Sequence, residues 1–349
     1  LARVLTHGET MLRVSPQDAG RRLADAGIFR VEPGGSESNV AIALAALGHS
    51  CRHMTRVPSN PLGDLVVGEL ARCGLDSSLV ARGGERLGCY WTELGGGPRP
   101  SRVVYDRADS SLALWEPSPE EWRSALAGVE WLHVSGITPA LSPQAARALQ
   151  AGLAAAAESG VPVSLDLNFR SQLWRYMEES ERAERVAAVM GELCRRCHLI
   201  MGNETDWRDV FGLAPGPETD PAAAYAAVAR EAMARFPRLQ TLAISLRRSI
   251  SASENGFGGL LFQRSPEGFE VWPGEEILIR PVVDRVGAGD AFAAGVVHGV
   301  LSGWEGGRTV NFAVALGALK HTLRGDPCRF SEAEVLQVMA SGLSGRILR

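Results

Sequence analysis

The chain has 349 residues, 45% hydrophobic and 22% charged, with a formal net charge of -4. That length suits one large α/β domain or two medium ones, and the composition is that of an ordinary globular protein. No global basic field favours nucleic acid, and no run of about 18 apolar residues offers a membrane span.

The chain opens on a strand over 2–5 that leads to Gly8-Glu9. Residues 11–32 mix apolar and polar side chains in the manner of a small strand flap. Pro33-Gly34-Gly35-Ser36 is a loop, and an Ala-rich helix over 37–47 follows, ended by Gly48. The Gly34-Gly35 pair makes the backbone approachable, and Asn39 sits in the first helical turn. A helix covers 62–73. Two β-like runs, 87–94 and 102–107, flank the Gly95-Gly96-Gly97-Pro98 turn and read as a hairpin. A hairpin this early in an α/β chain is a candidate lid.

From Glu116 onward strands and helices alternate. Strands fall at 131–134, 161–167, 199–201 and 241–245, and helices at 143–158, 181–197, 203–211 and 221–236. An antiparallel pair over 258–262 and 269–272 precedes three last helices at 288–301, 308–322 and 332–342. This alternation predicts a mostly parallel sheet with helices on both faces, in one domain spanning 1–349. The ligand crevice of such a sheet lies at the carboxyl ends of its strands. Asp166-Leu167-Asn168-Phe169-Arg170, Gly202-Asn203-Glu204 and Ser245-Leu246-Arg247 all fall at such ends.

Two residue types narrow the chemistry. Lysine occurs once, at Lys320, and neither a Walker A loop nor the strand lysine of a protein kinase surrounds it. A nucleotide site here must therefore use backbone amides and Arg. The six cysteines are scattered, which predicts reduced thiols and a cytoplasmic protein. Cys194 and Cys197 have the C-x-x-C spacing, but no second pair completes a zinc site, so they read as structural. The opening residues Leu1 to Leu5 are too short and too soon polar for a secretory signal.

The most informative stretch is Asp284-Arg285-Val286-Gly287-Ala288-Gly289-Asp290, a glycine turn that runs into a helix. Unpaired amides and the positive end of the helix dipole make such a turn an anion trap. Asp290 inside it can take a proton from an alcohol while the amides of Gly287, Ala288 and Gly289 hold a transferring phosphoryl group. The plain alternative is a tight turn with a capping Asp. A dinucleotide fold is excluded, because its glycine turn follows the first strand and this one lies near the end of the chain. A metal hydrolase is disfavoured, since the seven His show no H-E-x-x-H spacing.

Five separated stretches together resemble the ribokinase-like (PfkB) carbohydrate kinases, and within them the branch that phosphorylates 2-keto-3-deoxygluconate. They are Gly34 to Ala41, Val134 to Ser142, Asp166 to Arg170, Asp284 to Gly287, and Leu319 to Thr322 with Gly325-Asp326. The resemblance runs from Gly8 to the end. It implies a three-layer α/β fold with a mostly parallel central sheet and a small β lid, the lid drawn from roughly 10–33 and 86–108. It implies ATP and Mg2+ as cofactors and transfer to the 6-hydroxyl of 2-keto-3-deoxy-D-gluconate, with Asp290 as base. Gly34, Gly35 and Asn39 would bind the sugar, Tyr90, Tyr105 and Arg107 would reach in from the lid, and Arg170 and Asp326 would complete that site. Asn168, Asn203, Ser245 and Arg247 would lie on the nucleotide side. Asp206 would help place the metal through water, one carbon shorter than the family's Glu. A carboxylate-bearing substrate also suits Arg107 and Arg170, since Arg pairs carboxylates with two hydrogen bonds. The partners expected are therefore a small sugar acid and ATP. Family resemblance and the exposed hairpin edge also suggest a homodimer or higher homo-oligomer. The readings left beside this one are a kinase for fructose or 2-ketogluconate, and a non-catalytic sugar sensor on the same fold.

Overall fold

Several helices begin where a side chain can take up the unpaired amides of the first turn. Asn60 accepts from Leu62 and Gly63, Ser142 from Ala145, and Asp220 from Ala223, each one residue ahead of a Pro at the first helical position. Ser118 and Glu121 form a reciprocal capping box. In the computed structural model, which describes residues 1–340, the helices are α1 (Ser36–Ala46), α2 (Pro61–Arg72), α3 (Pro119–Leu126), α4 (Thr138–Leu141), α5 (Pro143–Glu158), α6 (Arg182–Cys194), α7 (Asp206–Phe211), α8 (Pro221–Arg235), α9 (Ala288–Leu301), α10 (Gly306–Lys320) and α11 (Glu332–Ala340). The expected end of the last helix, at 342, lies outside the described residues.

The strands are β1 (Arg3–His7), β2 (Met11–Pro16), β3 (Phe29–Gly34), β4 (Ser50–Val57), β5 (Val80–Arg82), β6 (Cys89–Glu93), β7 (Arg102–Asp106), β8 (Trp131–Ser135), β9 (Val163–Asp166), β10 (Leu199–Asn203), β11 (Thr241–Ser251), β12 (Glu254–Ser265) and β13 (Gly268–Ile279). Nine of them form one sheet in the order β13-β12-β11-β10-β9-β8-β1-β4-β5. From β11 to β5 the neighbours are parallel, and β12 and β13 add an antiparallel edge. The strands β8 and β9 are buried along their whole length, as expected of parallel strands covered on both faces.

Helices cover both faces. Trp122 of α3, Leu149 and Leu153 of α5, Met190 of α6 and Ala229 of α8 share one apolar core. Leu44 of α1, Val66 of α2, Val297 of α9 and Phe312 of α10 share the other. The fold is thus a mixed α/β, three-layer arrangement around a mostly parallel sheet, as the alternation in the sequence predicts.

A second sheet runs β3-β2-β6-β7, with β2 and β6 parallel and both outer pairs antiparallel. The expected hairpin is its β6–β7 half, in which Tyr90 faces Tyr105 across the ladder. The main sheet reverses its winding at β1, with β8 on one side and β4 on the other. The carboxyl ends near that switch point, with the second sheet above them, frame the cleft.

Candidate active site

A cleft of about 510 Å³ is lined by Asp166 at the end of β9, Asn203 at the end of β10, Ser245 and Arg247 on β11, and the 285–290 segment. Gly35, Asn39, Tyr90, Tyr105, Arg107, Asn168, Arg170, Asp206 and Asp326 also line it. Of the residues singled out in the sequence, Gly34 alone does not. It lies beneath Tyr90 and Asp326, where a Cβ would come 2.3 Å from the Tyr90 hydroxyl and 2.7 Å from Asp326 Oδ2. Gly35 is needed for a different reason, since a Cβ there would sit 2.1 Å from the Glu9 carbonyl oxygen.

Gly287 opens α9 in the left-handed region, with φ 84°. A Cβ there would lie 2.2 Å from the Asp326 carbonyl oxygen, so both conformation and space demand glycine. Gly289 differs, because nothing stands within 4 Å of where its Cβ would be. Its place in the motif leaves open space before the turn rather than relieving strain. No side chain caps this helix start. Ala288 N–H turns back to the Arg285 carbonyl at 3.3 Å. The positive end of α9 therefore points into the cleft uncapped, as an anion site requires.

Asp290 sits in the first turn of α9. Its Oδ1 accepts from Ser36 Oγ at 2.7 Å and its Oδ2 from Asn39 Nδ2 at 2.7 Å. Asn168, held at φ 38°, donates its own amide to Ser36 Oγ at 2.9 Å. This places Asn168 in the hydrogen-bonded group around Asp290 rather than at a distance from it. Asn39 Oδ1 is buried and has no partner among the described residues, so it remains available to a bound hydroxyl. Burial raises the Asp290 pKa above its usual 3.8, against the two hydrogen bonds that lower it. A carboxylate raised in this way is a better proton acceptor.

Two expected roles look different in three dimensions. Arg107 lines the cleft, but its Nε donates to Glu9 Oε2 at 2.9 Å and its Nη2 meets the same oxygen. It is therefore a neutralised cation, and its partner Glu9 carries no local motif that marks it as part of the site. Asp206 spends both oxygens on backbone, Oδ1 on Phe169 N–H at 3.2 Å and Oδ2 on Asn203 N–H at 2.9 Å. Asn203 caps the same turn, its Oδ1 accepting from the Thr205 and Asp206 amides at 2.8 and 3.2 Å. Burial lifts the Asp206 pKa to about 6 and takes Asp166 well above 3.8.

Arg170 is exposed at the cleft and donates Nη1 to the Phe169 carbonyl at 3.0 Å. Among the described residues it makes no ion pair, although its charge lowers the pKa of Asp166, Asp206 and Asp290. At the other end, Arg285 donates Nη2 to the Ser251 and Ala252 carbonyls at 3.2 and 2.9 Å. Its pKa is lowered by burial and by the nearby charge of Arg247. Two guanidinium groups that repel each other beside an uncapped helix start make a strongly anion-seeking corner.

Four further residues, none of them given a role in the site from the sequence, complete its surroundings. Glu37 is buried in the cleft wall, where it accepts from Ser135 Oγ at 2.6 Å and Thr138 Oγ1 at 3.1 Å, and burial carries its pKa to about 7. Arg13 and Asp284 are buried partners at 2.5 Å. Burial opposes the Arg13 charge, but Asp326 and Asp284 outweigh it and raise its pKa. Lys320 is buried too, donating to the Asp284 and Leu323 carbonyls at 3.3 and 3.2 Å. No group of three His, Cys, Asp or Glu among the described residues is placed to hold a metal ion directly. No described helix is long and apolar enough to cross a membrane.

An uncapped helix start, a buried carboxylate and unpaired arginines under a small sheet are the parts of a phosphotransferase acting on small molecules. The chain belongs to the pfkB family of carbohydrate kinases, whose model matches residues 1–246 and 270–327. It is 30% identical over 349 residues to a 2-dehydro-3-deoxygalactonokinase of Haloferax volcanii, covering 99% of this chain and 98% of that one. The crystal structure of a 2-dehydro-3-deoxygluconokinase from Thermotoga maritima superposes with a TM-score of 0.89 at 37% identity, covering 97% of this chain and 100% of the other. A PfkB family carbohydrate kinase from Listeria grayi superposes with a TM-score of 0.87 at 34% identity, covering 97% and 99%.

Proposed function

We propose that this carbohydrate kinase transfers the γ-phosphoryl group of ATP to the 6-hydroxyl of 2-keto-3-deoxy-D-gluconate. The observation that carries the substrate is Arg170, a guanidinium with no acid partner among the described residues, in the same cleft as Asp290. A neutral sugar has no use for it, whereas a sugar-acid carboxylate matches its paired donors. The names of the Haloferax and Thermotoga relatives support the same class of substrate.

In this reading Asp290 takes the proton from the attacking hydroxyl, with Ser36 and Asn39 fixing the carboxylate. The amides of the Gly287–Gly289 turn, which no side chain caps, stabilise the charge on the transferring group, Ala288 N–H exchanging its long 3.3 Å bond to the Arg285 carbonyl for the phosphoryl oxygen. Arg247 and Arg285 hold the phosphate chain from the other side. Asp206 has no oxygen free of backbone contacts, so Asp206 and Asp166 would indirectly hold a Mg2+ that accompanies the phosphates, without ligating it themselves. When bound, it supplies charge neutralisation on the phosphate oxygens. The second sheet is the lid, and its closure keeps water from the donor.

The test is ADP release with ATP and Mg2+ on 2-keto-3-deoxygluconate, its galactonate epimer, 2-ketogluconate, fructose and ribose, with the product phosphate placed by NMR. A site built around a carboxylate should favour the keto-deoxy acids over fructose on the order of a hundred-fold or more in kcat/KM. A preference for fructose keeps the kinase and removes Arg170 from the substrate. Binding without turnover on any of them favours the sugar sensor.

A further inference from the structure

Arg13 has no part in the steps above, yet it is the largest fully buried charged side chain among the described residues, at 1% exposure. It stands on β2 of the second sheet. Its Nη2 meets Asp284 Oδ2 at 2.5 Å and its Nη1 meets Asp326 Oδ1 at 2.5 Å. Those two carboxylates belong to different segments. Asp284 begins the loop that ends in the glycine turn, and its oxygens also accept the Val286 amide at 3.1 Å and the Gly325 amide at 3.2 Å. Asp326 lines the cleft, and its second oxygen receives the Tyr90 hydroxyl from β6. Gly287 rests directly on the Asp326 backbone. With Lys320 close behind Asp284, two buried acids face two buried bases, and the group is balanced in charge.

A buried ion network of this kind is weak as a source of stability, because desolvation offsets most of its attraction. What it supplies is geometry. A planar guanidinium offers two donor edges at a fixed angle, so it ties two carboxylates at once, where an ammonium acts as one point. Arg13 thereby joins the second sheet to the amide turn on one side and to Asp326 on the other.

We propose that Arg13 is a positioning residue for phosphoryl transfer, holding the Gly287–Gly289 turn and the Asp326 carboxylate in one fixed relation to the second sheet. The inference rests on the phosphoryl-transfer reading of that turn, and it is indifferent to which sugar is the acceptor. Transfer forms an oxygen–phosphorus bond as the bond to the leaving ADP oxygen breaks, and a misplacement of about 1 Å costs about a hundred-fold in rate.

The experiment compares Arg13→Lys and Arg13→Gln with the unaltered protein, on whichever acceptor the latter turns over best. A wrong sugar assignment therefore appears in the unaltered protein and not in the comparison. Folding is checked by circular dichroism. Arg13→Lys should lose about ten-fold in kcat and Arg13→Gln about a hundred-fold, with KM for ATP within about two-fold in both. Hydrogen exchange, which needs no substrate, should quicken at the 284–290 amides in both variants. A folded Arg13→Lys with unaltered kcat overturns the proposal, as does unaltered exchange at those amides. If Arg13→Gln does not fold, Arg13→Lys decides alone.

Discussion

Asp290 can be a base only while it is ionised, and its surroundings decide when that is. Burial raises its pKa above 3.8, and the Asn39 and Ser36 hydrogen bonds pull it partly back. The acid limb of kcat/KM should therefore rise with pH through a midpoint above the usual Asp range, and a flat profile from about pH 4 upward would remove Asp290 from the proton transfer. Asp290→Asn should lower kcat on the order of a thousand-fold while KM for both substrates moves little. Arg170→Ala should instead raise KM for the sugar acid by about ten-fold or more and leave KM for ATP nearly unchanged; equal effects on both would place it elsewhere. The sequence made these two residues visible because their signals are local, a glycine turn and a strand end. Arg13 gave no such signal. Its partners lie 271 and 313 positions away, and no spacing rule reaches that far. Arg107 was visible as a cation but not as a neutralised one, because Glu9 is 98 positions off.

At the scale of elements, strands with apolar runs were readable, and β4, in which polar residues outnumber apolar ones, was not. Residues 50–57 gave no strand signal, yet β4 pairs β1 from Ser50 to Met54 and β5 from Thr55 to Val57. Its polar residues are satisfied out of sight: His53 is bound by Thr6 Oγ1 at 2.7 Å and by Thr10 Oγ1 at 3.0 Å. The strands β11 to β13 also run beyond their expected ends, because ladder pairing carries them through polar residues such as Arg247 to Ser249. The helix that carries Asp290 is held by close backbone contact. A Cβ at Gly295 of α9 would come 2.6 Å from Ala313 Cα on α10. Gly295→Val should therefore lower stability by about 2 kcal/mol or more in urea unfolding, and lower kcat as well by moving the start of α9. An unchanged urea midpoint would mean that the two helices part without loss.

At the scale of the whole molecule, buried titratable groups of opposite sign compete to set the dependence of stability on pH. Burial lowers the pKa of all seven histidines below 6.5, to about 3 for His53 and His133 and about 4 for His7, His49, His298 and His321, with His198 lowered too. Between about pH 4 and 6.5 the unfolded chain holds protons on these rings that the folded chain does not. Their contribution is complete above 6.5 and is lost as pH falls through that window. Four acids act the other way. Glu37 is raised to about 7, Asp206 to about 6, and Asp166 and Asp290 upward, so the folded chain holds their protons longer, and that contribution fades as pH rises. Seven groups against four give a net gain with rising pH, at about 1.4 kcal/mol per pH unit for each uncompensated proton. The urea midpoint should climb from pH 5 to 6.5. It should then level off, because the histidines are spent while Glu37, raised to about 7, still titrates there. A midpoint that falls between pH 5 and 6.5 would mean that the acids under the cleft, rather than the histidines of the core, dominate the balance. The cleft would then be the element whose charges the fold tolerates least, and a bound cation or the Arg170 guanidinium would have to relieve it.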